Sequence, residues 1–221
     1  MSERIEGVAV EVDPTAVLVT AARPLTVLSS AVVGGGFLQA RALVNLHVPK
    51  SFPCESPEAT LADFVHRRGV PQPFVGFLTA ARTEHAEVVY EEARGVGALA
   101  VVTVGLDNPV AAGLSPVAGV SPPSTINAIV VVDADASPAA LVNAALTVTE
   151  VKTATLVAFG VACEGGGLAS GTSTDAVAIA TTGRGRACRY GGPVSDLGWV
   201  VARAARAALE AGIRRWIGAH A

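Results

Sequence analysis

The sequence predicts an α+β protein, residues 1–221 forming a single layered domain in which mixed, mainly antiparallel β-sheets are covered by helices. Three observations carry that expectation. Short runs rich in Val and Ala are punctuated by Pro and Gly, the pattern of strands joined by turns. Three longer segments repeat apolar residues at helical spacing. Hydrophobic residues make up 51% of the chain while aromatics are only 5%, so the core must be built from small branched side chains, which suit a sheet under helices.

The first strands are expected at Gly7–Val12, Ala16–Ala21, Leu25–Ala31 and Phe37–Val48, with turns at Asp13-Pro14, Arg23-Pro24 and Gly34-Gly35-Gly36. Period-two alternation puts Val44, Leu46 and Val48 on one face of the fourth strand and Asn45 with His47 on the other. One face is expected in the core and the other at a site. A helix follows, with Ser56 as N-cap, Pro57 at its first position, Leu61, Phe64 and Val65 on the buried stripe, and Gly69 as the stop. Strands resume at Phe74–Ala80, Ala86–Arg94, Ala98–Val104 and Thr125–Val132, close enough in sequence to pair antiparallel. Ser137-Pro138 opens a long helix to about Phe159; a strand is expected at Thr172–Thr181 after a Gly-rich turn, and a last helix from Ser195 that ends before Gly212.

Several function classes are excluded. The net charge of −3 and the lack of a basic block give no footprint for nucleic acid. Apolar stretches are broken by Gly, Pro or Thr short of the ~20 residues of a spanning helix, and Met1–Glu11 lacks an apolar signal core, so no membrane partner and a cytoplasmic location are expected. Cys54, Cys163 and Cys188 are widely spaced and read as free thiols, and the four histidines show no metal-ligand spacing, so no protein-bound metal is expected. Neither glycine run fits a dinucleotide or P-loop fingerprint, and both read as turns. Trp199, Trp216 and Tyr190 read as core aromatics, the alternative being that they stack on a large planar ligand.

Chemistry concentrates where polar residues interrupt apolar strands and helices, because buried hydroxyls, amides and acids need partners, water or a ligand. The runs are Val27–Ala31 with Ser29 and Ser30, Asn45, Phe77–Ala81 with Thr79, Val102–Pro109 with Thr103 and Asn108, Ser124–Asn127 with Thr125, Thr149–Thr153 with Glu150, Lys152 and Thr153, and Ser170–Ala176 with Thr172, Ser173, Thr174 and Asp175. Taken singly, each hydroxyl reads as a cap or turn residue. Taken together, at strand ends, they suggest one pocket. Extended backbone would put Ser173 and Asp175 on one face, and the alternative is that Asp175 caps a turn. Glu150 and Lys152 differ by about 200° on the helical wheel, so one of them faces outward.

The order and spacing of these runs resemble the adenosylcobinamide amidohydrolase family over roughly Leu25 to Ala205. The chain departs from the family pattern at Arg23-Pro24-Leu25, where an aromatic is usual, and at Ser124, where Gly is usual. The resemblance implies hydrolysis of the amide that joins aminopropanol to adenosylcobinamide, giving adenosylcobyric acid for corrinoid salvage. It implies a corrinoid small-molecule substrate that brings its own cobalt, no resident cofactor, and is compatible with a homo-oligomer. Two routes follow from the residue types. In the first, Glu150 or Asp175 deprotonates water and Lys152 or Asn127 stabilises the oxyanion. In the second, Ser30 or Thr174 is a covalent nucleophile with His47 as its base. The remaining polar residues, Ser29, Asn45, Thr79, Thr103, Asn108, Thr125, Asn127, Thr153, Thr172, Ser173 and Thr174, are expected to bind substrate. The rival readings are a corrinoid-binding or trafficking protein without chemistry, and an amidase for another small amide.

Overall fold

A computed structural model describes residues 4–53, 55–117 and 124–220. Its strands are β1 (Val8–Val12), β2 (Ala16–Ser29), β3 (Gly36–His47), β4 (Phe74–Thr79), β5 (Glu87–Ala93), β6 (Val96–Val104), β7 (Pro109–Val110), β8 (Ile126–Asp133), β9 (Asp135–Ala136), β10 (Gly171–Thr172), β11 (Ala176–Thr181) and β12 (Ala187–Cys188). Its helices are α1 (Pro57–Arg68), α2 (Pro138–Ala158) and α3 (Asp196–His220). Eight strands form one mixed sheet in the order β4-β3-β2-β11-β8-β6-β5, with β1 added beside β2. β3–β4 and β8–β11 are parallel; β1–β2, β2–β3, β2–β11, β6–β8 and β5–β6 are antiparallel. This is the α+β architecture the sequence predicts.

The sheet curls so that its concave face packs on itself. Val17, Val19 and Val27 of β2, Leu43 of β3 and Phe77 of β4 meet Leu99 and Val101 of β6, Ile129 and Val131 of β8 and Ala178 of β11 in one buried cluster. The convex face is covered in two places. Ala16, Leu18, Val44 and Leu46 lie under Leu61, Phe64 and Val65 of α1. Ala98, Ala100, Ala128, Val130 and Ile179 lie under α2 and α3. Both faces of the central strands are therefore apolar, and period two survives only as a choice between two cores. Each fully buried Val or Leu contributes about 1.5–3 kcal/mol.

Two helix signals act as read, while Ser56 precedes α1 without a side-chain cap hydrogen bond. Ser137 Oγ accepts from Ala140 N at 3.2 Å, and Gly69 closes α1 with φ 67 in the left-handed region. α2 is long and apolar enough to cross a bilayer, yet it is a core helix, with Leu141, Val148, Val151 and Leu156 buried.

Four expectations are corrected. Arg23-Pro24 is not a turn: the two expected strands are one, β2, with a register shift between Thr20 and Leu25 that bends it around the sandwich. β4 and β5 do not pair but form opposite edges of the sheet. The expected strand Thr172–Thr181 is broken by a turn into β10 and β11. α3 does not stop at Gly212 but runs to His220, because that glycine serves packing: a Cβ there would lie 2.6 Å from Val104 Cγ2. Cys163 and Cys188 are free thiols, burial pushing the Cys188 thiol up; Cys54 lies outside the described residues.

Candidate active site

The polar runs meet at one end of the sheet, where β2 and β6 finish and β8 and β11 begin. Pairing explains this: Ala176 of β11 is opposite Asn127 of β8, Asn127 is opposite Thr103 of β6, and Ser29 of β2 is opposite Ala178 of β11. The curl brings the end of β3 over this row. Asn45 Nδ2 donates to Thr103 Oγ1 at 2.9 Å, and Asn127 Nδ2 donates to Asn45 Oδ1 at 2.9 Å and to Leu78 O at 3.0 Å. Asn45, Thr103, Thr125, Asn127 and Thr79 are all buried. The face of β3 opposite its α1 core, expected at a site, is thus buried as well.

This network is under-satisfied. Asn127 Oδ1 and Thr125 Oγ1 are buried and have no hydrogen-bond partner among the described residues. The amide of Asn127 cannot be turned over to cure this, because its nitrogen already donates to two oxygens that can only accept there. With both N–H groups used, Asn127 presents an acceptor alone. It cannot stabilise an oxyanion, which corrects that expected role.

On the convex side a second cluster is saturated. Lys152 of α2 pairs with Asp175 Oδ2, Thr172 N donates to the same oxygen at 3.0 Å, and Thr172 Oγ1 and Ile126 N donate to Oδ1, the latter at 3.0 Å. The side chains of Lys152 and Asp175 are 12% and 9% exposed. The four acceptor positions of the carboxylate are all taken, so no lone pair remains for a water. Ser173–Asp175 is a turn that Asp175 caps, not a strand. Gly171 is required beside it, since a Cβ would lie 2.5 Å from Asp175 Oδ2 and 2.8 Å from Lys152 Nζ.

The remaining expected residues sit around these clusters. Ser29 is buried, its Oγ accepting from Ala31 N, and Thr79 Oγ1 accepts from Ala81 N. Ser30 is exposed and accepts from Val177 N at 3.0 Å. Asn108 Nδ2 donates to the exposed Ser173 at 2.6 Å, and Thr153 Oγ1 donates to Ser170 O at 2.9 Å. Thr174 is exposed in its turn, and Glu150 is exposed on α2. Among the described residues, neither Ser30 nor Thr174 hydrogen-bonds to His47.

An open cavity of 470 Å³ borders this end of the sheet. Ala81 and Gly105 form part of its wall, with Lys50, Asp107, Trp216 and His220 around them. Lys50 Nζ meets Asp107 Oδ1 at 2.8 Å and Ser124 Oγ donates to Oδ2 at 2.7 Å. Burial pushes the Asp107 carboxyl up, but the hydrogen bonds from Lys50 and Ser124 and the Lys50 charge outweigh it and hold the group below the usual carboxylate range. Trp216 stacks on His220, ring centroids 4.1 Å apart. It lines the cavity while packing, partly buried, against the core under α2 and α3, whereas Trp199 and Tyr190, also read as core, are 44% and 69% exposed. His85 lines the cavity too. His47 Nδ1 lies 3.1 Å from Ala81 O; a carbonyl only accepts, so that nitrogen carries the proton and a neutral ring leaves Nε2 as a lone pair.

Sequence reasoning passed over Lys50, Asp107, His85, His220 and Trp216 as site residues. Asp107 adjoins Asn108 in a polar run and was within reach. The others come from the ends of distant elements, with no local signal.

A layered α+β fold with amide- and hydroxyl-bearing side chains gathered at one strand end, beside an open recess, defines the chain as a small-molecule enzyme scaffold. The chain belongs to the adenosylcobinamide amidohydrolase family, whose model matches residues 1–221, and it is an amidohydrolase. A Methanosarcina mazei protein named adenosylcobinamide amidohydrolase is 31% identical over 163 residues, 74% of this chain and 71% of that one. A Burkholderia sp. beta-aminopeptidase shares the fold at a TM-score of 0.51, with 14% identity, over 96% of this chain and 84% of that one.

Proposed function

We propose that the chain hydrolyses the amide joining aminopropanol to adenosylcobinamide and releases adenosylcobyric acid for corrinoid salvage, the cobalt arriving with the substrate. The observation that carries this reading is the meeting of the family-like polar runs at one sheet end, from Ser29 and Asn45 to Asn127 and Asp175, next to an open cavity. Family membership supplies the substrate.

The acid–base work falls to an imidazole. Asp175 has no free acceptor position, Glu150 is a solvent-facing helix residue, and Asp107 is held ionised by its partners, too weak a base for a water near neutral pH. His85 and His220 line the cavity and His47 is fixed to the carbonyl of Ala81 in its wall. Water adds to the amide carbonyl, the imidazole takes one of its protons and returns it to the departing nitrogen, and the C–N bond breaks to leave a carboxylic acid and an amine, which become a carboxylate and an ammonium when the acid proton passes to the amine.

Incubation with adenosylcobinamide, followed by mass spectrometry for aminopropanol and adenosylcobyric acid, tests the reading. Release of both is expected. Tight binding with no release would make the chain a corrinoid carrier, and turnover of simple amides without corrinoid binding would make it another amidase. Among His47→Asn, His85→Asn and His220→Asn, one is expected to lose on the order of 10²-fold or more in kcat; three active variants would overturn the imidazole route.

A further inference from the structure

Thr125 Oγ1 and Asn127 Oδ1 are buried polar atoms with no hydrogen-bond partner among the described residues. Both residues are nine-tenths buried or more, at 1% and 2% exposure, and a buried polar atom without a partner destabilises a folded interior. They are two residues apart on an extended run, Thr125 O accepting from Gly105 N at 3.0 Å just ahead of the β8 ladder, so their side chains share the concave face about 6.6 Å apart along the strand. Their chemistry differs. Asn127 offers an acceptor alone, its orientation locked by Asn45 and Leu78. Thr125 offers a hydroxyl that donates or accepts.

A ligand for this pair carries one N–H and, a short distance away, one hydroxyl. The amide of a 1-amino-2-alkanol has that pattern, its nitrogen and oxygen separated by two carbons. Gly105 lines the open cavity and adjoins the run that carries the pair: a Cβ there would lie 2.7 Å from Ser124 Oγ, 3.3 Å from Thr125 N and 3.3 Å from Ala81 Cβ. We propose that Asn127 Oδ1 accepts the N–H of the scissile amide and Thr125 Oγ1 pairs with the hydroxyl of its amino-alcohol arm. These are specificity-determining residues, and the assignment rests on the amidohydrolase reading above.

The test compares kcat/KM for adenosylcobinamide with that for the analogue whose aminopropanol is replaced by propylamine. Wild type is expected to prefer the hydroxyl-bearing amide at least about tenfold, and Thr125→Val to bring the ratio near one by losing activity on adenosylcobinamide alone. Asn127→Leu is expected to reduce both amides alike, since both keep the N–H; Thr125→Val decides the matter if that variant does not fold. A wild type that turns over adenosylcobinamide with no preference, or a preference unchanged in Thr125→Val, overturns the inference. A wild type that releases no aminopropanol instead overturns the reading on which it rests.

Discussion

Two polar clusters lie on opposite faces of the same strand end and have been finished differently. On the convex face, Asp175 spends every acceptor position on Lys152, Thr172 and Ile126. On the concave face, Asn127 and Thr125 are as deeply buried, yet each keeps one atom unpaired. A folded chain tolerates an orphaned buried polar atom only where something else repays it. The saturated cluster is thus a brace that ties α2, β10 and the start of β8 together, and the unsaturated one is where a ligand completes the structure. Charge alone would have suggested the reverse, since the ion pair looks more like an active site than two amides and two hydroxyls.

The contrast can be broken most severely at the brace. Lys152→Met leaves a buried carboxylate without its cation and is expected to cost about 3–5 kcal/mol in chemical denaturation. If the protein instead keeps its stability and loses turnover, Lys152 is catalytic and the two clusters exchange roles. Gly171→Ala pushes a methyl group against both members of the pair, and about 1–3 kcal/mol of destabilisation is expected by the same measurement. A smaller effect belongs to the cavity wall. Because the Asp107 carboxyl is depressed in the folded state, its stabilisation is present above the unfolded value of about 3.9 and is lost as pH falls through the lower folded value. Asp107→Asn should flatten the acid limb of the stability profile below about pH 4, and an unchanged limb would show that Lys50 and Ser124 do not hold the charge. The smallest effect is at Glu150, exposed on α2: Glu150→Gln should change stability by less than about 0.5 kcal/mol and leave kcat within about twofold, and a collapse of kcat would restore it as the base.

Local signals in the sequence had local consequences. Gly69 and Ser137-Pro138 bound their helices where capping chemistry puts them, Pro57 opens α1 after a Ser56 that makes no side-chain cap, and the Val-rich runs became strands. Where the outcome depended on distant partners the reading failed. Arg23-Pro24 could be absorbed as a bend because β2 is held by β3 on both sides of the shift. Gly212 could stay helical because Val104 needs the room. The site divides in the same way. That polar runs cluster at strand ends was legible from their spacing. Whether Asp175 is a base or a cap, and whether Asn127 gives a donor or an acceptor, is decided by Lys152, Asn45 and Leu78, which pairing and curl bring from elsewhere in the chain.

The central claim, that the concave cluster is held unsatisfied for function, is tested most directly by measuring thermal unfolding and turnover together for Thr125→Val. The substitution keeps the shape of the side chain and removes a buried hydroxyl that has no partner. The protein is expected to melt at a higher temperature than wild type, by the equivalent of about 1 kcal/mol or more, while kcat/KM on adenosylcobinamide falls. A variant that melts lower with turnover intact would show that Thr125 is an ordinary structural residue and would contradict the account.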